Sequence, residues 1–395
     1  MAPPGWGPYV ESYDGIPQEF QTKRPVPAGE DTNTRPIVIF FSYLALCAGL
    51  TVFVIQRLIK SYTVLSKHTT ASLPPKKYVY TFAFLATASV ATTWYYTFRY
   101  FDVSYQTWVM WRSYYQLDPK HLHWGLWLKH TSLFKEAWET AIIGWARYWW
   151  THQIFFFACG LGLDLERKGI PRGVKHTWAF MLLGQIVAIS FATNLFLLAV
   201  LLSPPPVSPA PTSGYSRKPK WLGPWLINLI ALGATQYSAY LLFDEHYWHH
   251  PSFLPMVMVP HVALMVLPVA RGLIPTKYFS DDNVEIAGKV YKYLWGMTIG
   301  GGVLLFLKIT AASYGYSGIR GISDALLEHP AVSTVAFDVI FCWVTWITWW
   351  KIQGASSETV VGNHGDTDEN DGLWSEDATT TTTAGGDYSG EIRRR

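Results

Sequence analysis

Long apolar stretches alternate with short polar segments over most of this chain. With a window of about 19 residues, stretches of membrane-spanning length are found at residues 36–59, 78–98, 141–163, 175–202, 222–243, 253–273, 290–312 and 331–350. An apolar helix of about 20 residues is long enough to cross the hydrocarbon core of a bilayer. The pattern therefore predicts an all-α fold, a polytopic membrane helix bundle of about eight transmembrane helices.

The junctions between these stretches support the division. Lys60, Lys67, Lys76 and Lys77 bracket the first predicted loop, and a run of prolines from Pro204 stops the fourth apolar stretch, because proline cannot continue a helix. An even number of spans would place both termini on one side. Basic residues flank predicted loops on both sides, so the charge rule for orientation gives no clean answer.

The segments outside the lipid differ in composition. Residues 1–35 form a polar N-terminal segment, residues 36–351 the eight-helix membrane domain, and residues 352–395 a tail with a threonine run that we expect to be disordered. Residues 99–140 are dense in Trp, Tyr, His and Leu. That composition is typical of an aromatic-rich interfacial segment folded against a bundle.

Overall composition supports the membrane prediction. Hydrophobic residues make up 50% of the chain and charged residues 15%, well below the ~25% charged residues of ordinary soluble domains. The formal net charge is only +3, and the basic residues are dispersed, so nucleic acid is not an expected partner. Cys47, Cys159 and Cys342 each lie in an apolar stretch, which predicts buried thiols rather than disulfides or a zinc site.

Carboxylates and aromatic rings concentrate where the third apolar stretch begins. A Thr-Ser pair would cap a helix that carries Glu136 and Glu139. The same stretch carries candidate substrate-binding rings at Trp138, Trp145, Tyr148, Trp149 and Trp150. The two carboxylates would then lie at the mouth of an aromatic-lined space. The alternative is structural: the glutamates complement the helix dipole and pair with Lys135 or Arg147, while the indoles form an interfacial belt.

Asp338 is the one carboxylate well inside a predicted span, and an ionisable residue at such depth is a functional candidate. It could donate a proton, as acid-initiated chemistry requires. The alternative is an ion pair with Lys308, which a hairpin of the last two spans would place at similar depth. Glu139 and Asp338 are thus equal candidates for a catalytic acid, with Glu136 behind them.

Two further clusters suggest metal chemistry. His246, His249 and His250 have the spacing of one histidine box of membrane di-iron oxygenases, but that chemistry needs three such boxes. Residues 281–285 are rich in carboxylates that could share Mg²⁺, but no second acidic cluster faces them, so they fit a solvated helix start. We therefore expect neither a metal nor another cofactor.

Four features of the chain occur together in one known family. They are the eight-span layout, the aromatic segment before the third span, the Leu133–Trp138 stretch ahead of Tyr148–Trp150, and the His249–Phe253 stretch before a span with His261. Together they resemble fungal membrane-bound terpene cyclases of the ascofuranone and ascochlorin type. The resemblance implies a metal-independent cyclisation of an epoxidised farnesyl-type chain on an aromatic meroterpenoid precursor, in secondary metabolism and in an endomembrane.

The residues themselves are compatible with that chemistry. Opening an epoxide needs a carboxylic acid, and guiding the carbocation needs aromatic faces, which stabilise positive charge without adding a nucleophile. The expected partners are a lipophilic prenylated small molecule and the lipid bilayer; the sequence does not fix the oligomeric state. Two alternatives stay open: a small-molecule transporter or receptor that uses Asp338, Lys308 and Arg147, and a histidine-box oxygenase.

Overall fold

The computed structural model of this chain describes residues 34–67, 74–110, 117–203, 225–273 and 284–361. Within these residues 88% of the chain is helical and no strand is present, which confirms the all-α prediction. The predicted N-terminal segment lies outside the described residues except for its last two.

Eleven α-helices make up the described part of the chain. They are α1 (Thr34–Lys67), α2 (Lys76–Val109), α3 (Trp124–His130), α4 (Leu133–Ile142), α5 (Trp145–Asp164), α6 (Thr177–Ile186), α7 (Ile189–Leu201), α8 (Trp225–Leu242), α9 (Phe253–Leu273), α10 (Val284–Glu328) and α11 (Pro330–Val361). A π-helical turn, Leu165–Gly169, ends α5. Four of the described helices, α1, α9, α10 and α11, are long and apolar enough to cross a membrane.

The chain divides into two compact units at Thr345. In the second unit the described part is the last portion of α11, which continues to Val361 and so extends past the predicted domain boundary at residue 351. Residues 362–395, with the threonine run of the predicted tail, lie outside the described residues.

Helix α1 defines the two ends of the first unit. Near its start, the Phe40 ring lies 5.2 Å from Phe101 in α2 and 6.2 Å from Trp127 in α3. Further along, the Phe53 ring lies 5.5 Å from His176, just before α6. We call the end that carries α3 and α4 the α4 end, and the end that carries Leu165–Gly169 the π-turn end. Helix α1 runs from the α4 end to the π-turn end.

Side-chain bonds show the directions of the middle helices. The Tyr148 hydroxyl, near the start of α5, donates to the carbonyl of Ala239, near the end of α8. At the opposite end of the bundle, Arg271 in the last turn of α9 pairs with Glu166, just after α5. Helices α5 and α9 therefore run from the α4 end to the π-turn end, and α8 runs in the reverse direction.

Helix α10 is antiparallel to α5, and the first part of α11 is parallel to it. The Ser313 hydroxyl donates to the Trp145 carbonyl over 2.8 Å, and the Trp149 indole N–H donates to Thr310 over 2.9 Å. The Trp343 indole N–H in α11 donates to the Gln153 side-chain oxygen over 2.9 Å. Helix α10 is interrupted by a kink at Gly318 (φ 65°, ψ −173°), and its second part ends at the α4 end, where α11 begins.

The predicted span at residues 175–202 is divided into two antiparallel helices. Helix α6 ends at Ile186, Ala188 has extended backbone (φ −167°, ψ 137°), and α7 begins at Ile189. The rings of Phe180 and Phe196 lie 5.8 Å apart, as two arms of a hairpin require. A Cβ atom on Gly169, at the π-turn end, would lie only 3.0 Å from the Phe196 ring. This segment therefore enters from the π-turn end and returns to it.

Close packing explains why the hairpin can form. A Cβ atom on Gly184 would lie 3.1 Å from side-chain atoms of both Ile189 and Leu161, so glycine lets the two arms and α5 approach. Both arms are predominantly apolar, without charged residues, and most of their residues are buried. A hydropathy profile therefore cannot distinguish the hairpin from one continuous span.

Asp338 caps the second arm of this hairpin. Its two carboxylate oxygens accept hydrogen bonds from the main-chain N–H groups of Ile189 and Ser190, over 2.9 and 2.8 Å. These are N–H groups at the start of α7, which have no partner inside their own helix. The carboxylate of α11 thus holds the turn of the hairpin in the middle of the bundle.

The alternative pairing of Asp338 with Lys308 is wrong. The Lys308 ammonium lies 4.4 Å from the centre of the Tyr240 ring and 4.7 Å from that of Phe243, and it is 3.3 Å from the Tyr240 hydroxyl. Equal depth in two neighbouring helices does not fix the face on which each side chain lies. Here Lys308 faces α8, whereas Asp338 faces α7.

We predict that Asp338→Asn destabilises the fold through the hairpin. An amide can accept from only one of the two N–H groups and turns its own NH₂ toward the other, so the free energy of unfolding should fall by about 1–3 kcal/mol. Lys308→Met should cost less than about 1 kcal/mol. Denaturant unfolding of the detergent-solubilised protein measures both changes. Recovery of stability in the Asp338→Asn, Lys308→Met double variant would contradict the capping role.

Candidate functional site

The aromatic segment ahead of α5 folds against the bundle at the α4 end. Trp108 and Trp127 are buried there, and each indole has a polar partner: Trp108 donates to His130 over 3.3 Å, and Trp127 donates to Ser104 over 3.2 Å. A hydrogen bond to the indole N–H is the usual condition for burying tryptophan. The packed segment holds α4 beside the start of α5.

Glu136 is a half-buried carboxyl in the first turn of α4. One of its oxygens accepts a hydrogen bond from the Ser132 main-chain N–H over 2.8 Å. Burial raises the pKa of Glu136; the Ser132 N–H opposes the rise, and the neighbouring carboxylate of Glu139 adds to it. Such a carboxyl retains a proton more readily than an exposed glutamate does.

Glu139 pairs with Lys135, as in the structural alternative in which the glutamates pair with Lys135 or Arg147. Its carboxylate lies 3.5 Å from the Lys135 ammonium one turn earlier. It shares the helix α4 with Glu136, so the structure brings these two predicted carboxylates together. Asp338 belongs to the hairpin instead and is not part of this group.

The predicted aromatic residues pack against several different neighbours. Trp138 stacks on Phe155 at 6.4 Å, and Trp145 lies 4.7 Å from Phe243. The polar atoms of the other three predicted residues bond to neighbouring helices: Tyr148 to Ala239, Trp149 to Thr310, and Trp150 to Ile322. The structure does not gather these rings around one space with Glu136.

Two residues that the sequence analysis missed lie near the α4 carboxylates. The Tyr100 hydroxyl donates to the carbonyl of Leu133, the first residue of α4, over 2.8 Å. The His329 ring, between α10 and α11, lies 6.0 Å from the Tyr100 ring. Arg147 joins this region by a two-pronged bond to Glu328. Chain spacing carried no signal for these contacts, because they join distant parts of the sequence.

A second polar group lies at the π-turn end. The carboxylate of Glu166, only 1% exposed, accepts from the Arg271 Nε atom over 2.8 and 2.6 Å. Asn228 donates to the Tyr291 hydroxyl over 3.5 Å, and a cavity of about 10 Å³ lies between Glu166 and Asn228. Burial raises the pKa of Glu166, and the charge of Arg271 opposes the rise. A buried ion pair at a π-helical turn is a common mark of a functional region.

Two charged positions at the ends of apolar stretches are a sequence signal for this pair. Glu166 and Arg271 each end an apolar stretch, and a buried carboxylate needs a partner of opposite charge. Only the hairpin, however, places the ends of α5 and α9 on the same side of the bundle.

The histidines at residues 246–250 form a turn after α8. The rings of His246 and His250 stack at 5.7 Å, and the His250 Nδ1 atom lies 2.9 Å from the Ser252 hydroxyl. Across the residues that the structure describes, no group of three or more His, Cys, Asp or Glu side chains could hold a metal ion. Asp281, Asp282 and Asn283 of the acidic cluster lie outside the described residues.

Comparison of the chain with models of protein families, with curated proteins and with solved structures gives no match.

Two Arg–Glu pairs offer a direct contrast in stability. We predict that Arg271→Met lowers the free energy of unfolding by about 3–5 kcal/mol, because it leaves the Glu166 carboxylate buried without its partner. Arg147→Met breaks a more exposed pair with Glu328 and should cost about 0.2–1 kcal/mol. Adding Glu166→Gln to Arg271→Met should restore part of the loss. Equal losses in the two single variants, measured by denaturant unfolding, would contradict the assignment.

Proposed function

We propose that this chain is a multi-pass membrane enzyme that cyclises an epoxidised farnesyl-type chain on an aromatic meroterpenoid precursor, with Glu136 as the proton donor. The observation that supports this proposal most is the desolvated carboxyl of Glu136, whose pKa is raised. A carboxylic acid whose pKa is raised retains its proton to higher pH than an exposed glutamate does, and acid-initiated epoxide opening needs such a proton donor. The family resemblance supplies the substrate class.

The proposed membrane arrangement has seven crossings and one re-entrant hairpin. In the described chain the crossings are α1, α2, α5, α8, α9, α10 and α11, and the hairpin is α6–α7. Re-entrant backbone is tolerated at membrane depth where it is buried in protein, and the cap from Asp338 meets that condition. An odd number of crossings places the two termini on opposite sides. The proposed arrangement therefore differs from the sequence-based prediction, in which eight spans placed both termini on one side.

The proposed reaction is an isomerisation. The Glu136 carboxyl gives its proton to the epoxide oxygen, the carbon–oxygen bond breaks, and the alkenes of the prenyl chain attack the electron-poor carbon in turn. Loss of a proton from the last cation closes the sequence, so no atom is gained or lost overall. Aromatic faces stabilise the intermediate charge, and Tyr100, whose hydroxyl donates to the Leu133 carbonyl beside the first turn of α4, supplies such a face near Glu136.

A lipophilic substrate can approach this site from the lipid. Leu122, Trp124 and Phe134 at the α4 end are 59%, 48% and 48% exposed. Large exposed apolar side chains around a polar group are typical of a site that receives an apolar ligand. A prenylated phenol dissolved in the bilayer would meet Glu136 without passing through water.

A transporter is the second candidate, and the α6–α7 hairpin favours it. Broken helices that turn inside the bundle, with a charged residue at the break, recur in transporters. Here Asp338 occupies that break. The two proposals differ in their product: an enzyme changes the structure of an epoxyfarnesyl phenol, whereas a transporter returns it unchanged.

The activity test uses microsomes from a host without cyclases, supplied with an epoxyfarnesyl phenol and no added cofactor. We predict a cyclised isomer by mass spectrometry and NMR. Glu136→Gln should lower turnover by about 10²- to 10⁴-fold, the usual contribution of a general acid. Glu139→Gln is the matched control on the same helix and should retain its maximal turnover, reached at lower pH. Near-wild-type turnover in Glu136→Gln would contradict the assignment.

The neighbours of Glu136 give a further prediction about pH. An acid catalyst loses activity as the pH rises through its pKa. Glu139 raises the pKa of Glu136 and Lys135 lowers it. Glu139→Gln should therefore move the loss of activity to lower pH, and Lys135→Met should move it to higher pH. Profiles of turnover against pH measure both shifts, and shifts in the same direction would contradict the proposal.

A further inference from the structure

The π-turn end of the bundle is strongly basic. Helix α1 carries Arg57, Lys60 and Lys67 toward this end, and α2 begins here with Lys76 and Lys77. None of these positions has an acidic residue beside it in the described parts of α1 and α2. The two helices therefore present only positive charge at this end.

The connection into the hairpin continues the same pattern. Between α5 and α6 the chain carries Arg167, Lys168, Arg172 and Lys175. The hairpin begins and ends at the π-turn end. Its two ends, near Lys175 and Ser203, are called its feet here, and both lie within this basic region.

The last contributions come from α9 and α10. Arg271 lies in the last turn of α9, and Lys289 and Lys292 lie near the start of α10. Within the described residues of this end, the carboxylates of Asp164 and Glu166 are paired with Lys168 and Arg271, and Glu285 lies at the start of α10. Because the paired charges cancel, the excess of positive charge comes from α1, α2, the α5–α6 connection and α10, four segments that only the fold brings together.

The α4 end has no such excess. Its basic residues are mixed with acidic ones, as in the pairs Arg99–Asp102, Lys135–Glu139 and Arg147–Glu328. Its acidic residues include Asp102, Asp118, Glu136, Glu139, Asp244 and Glu328. The two ends of the bundle therefore differ in charge, although the basic residues appear dispersed along the sequence.

Aromatic anchors accompany the basic residues at the π-turn end. The Arg57 guanidinium lies 5.2 Å from the centre of the Phe53 ring, and the Trp178 ring stacks on Phe53 at 6.2 Å. The pKa of His176 is lowered by burial and by the charges of Arg57 and Lys175. Basic side chains beside Trp and other aromatic rings are typical of the level where a protein meets lipid head groups.

We infer that the π-turn end is the surface that docks on the anionic head groups of the cytoplasmic leaflet, and that the α6–α7 hairpin enters the membrane from that side. The inference depends on the membrane arrangement in the proposed function, but not on the cyclase activity. Loops rich in Lys and Arg are retained on the cytoplasmic side of multi-pass proteins, and the anionic lipids of that leaflet attract them. Glu136 and the α4 end then face the opposite side.

The orientation is tested with single cysteines in the full-length protein. Lys175→Cys and Ser203→Cys lie at the two feet of the hairpin, and Leu122→Cys lies at the α4 end; the native Cys47, Cys159 and Cys342 are buried. In cells with only the plasma membrane permeabilised, an impermeant maleimide should label the first two, and Leu122→Cys only after the inner membranes are dissolved. The reverse labelling would overturn the orientation, and opposite labelling of the two feet would overturn the hairpin.

Lipid recognition is tested by reconstitution of the purified protein. We expect a higher Tm in bilayers of phosphatidylcholine with about 30 mol% phosphatidylserine than in phosphatidylcholine alone, and a smaller rise at high salt. The triple variant Arg57→Gln, Lys60→Gln, Lys175→Gln should lose the rise. The matched triple variant at the α4 end, Arg99→Gln, Lys120→Gln, Lys129→Gln, should keep it.

An unchanged Tm in wild type, or loss of the rise only in the α4-end variant, would overturn the inference. Neither experiment measures cyclisation, so failure here is distinguishable from failure of the proposed activity.

Discussion

The main-chain N–H groups of Ile189 and Ser190 donate hydrogen bonds to the Asp338 carboxylate, and these bonds allow the chain to reverse inside the bundle. A helix that begins inside an apolar bundle leaves N–H groups without intrahelical partners, and each is costly where water is absent. Asp338 accepts from two of them, and the Tyr43 hydroxyl donates to the carbonyl of Ile186 on the other side of the bend. The chain can therefore turn at residues 187–188 instead of continuing through the bundle.

That turn sets the direction of every later helix. Because the hairpin returns to the π-turn end, α8 starts there and α9 ends there, which allows Arg271 to reach the buried carboxylate of Glu166. The same reversal makes α10 begin at the π-turn end, so Lys289 and Lys292 join the basic residues of the segments that precede the bend. The bend thus completes the charge asymmetry, whereas the helices before it place Glu136 at the other end.

The sequence predicted best the features that depend on local composition. The apolar stretch at 253–273 coincides with α9, and the concentration of carboxylates near Glu136 could be recognised from a few neighbouring residues. The stretch at 175–202 shows the limit of hydropathy, because apolar character measures burial and carries no information about chain direction. If residues 175–202 are read as one span, the helices that follow are assigned the opposite direction and the basic loops fall on both sides of the membrane. The charge rule then cannot determine the orientation.

Contacts between distant residues could not be predicted for a related reason. Arg147 and Glu328 are 181 residues apart, and Asp338 was matched with Lys308 by depth alone. The depth of a residue along a helix does not determine the side of the helix from which its side chain projects. That side determines which neighbouring residue it contacts. The aromatic residues show the same effect: their clustering in sequence suggested one shared space, yet successive positions on a helix point to different neighbours.

The distance between the two feet of the hairpin distinguishes a re-entrant hairpin from a single span. Spin labels placed by Lys175→Cys and Ser203→Cys in the reconstituted protein can be measured by pulsed electron paramagnetic resonance. Two adjacent antiparallel arms should hold the labels within about 25 Å of one another, given interaxial distances of 8–10 Å plus the label arms. A single continuous helix over the same residues would separate them by about 42 Å, and that distance would rule out the hairpin.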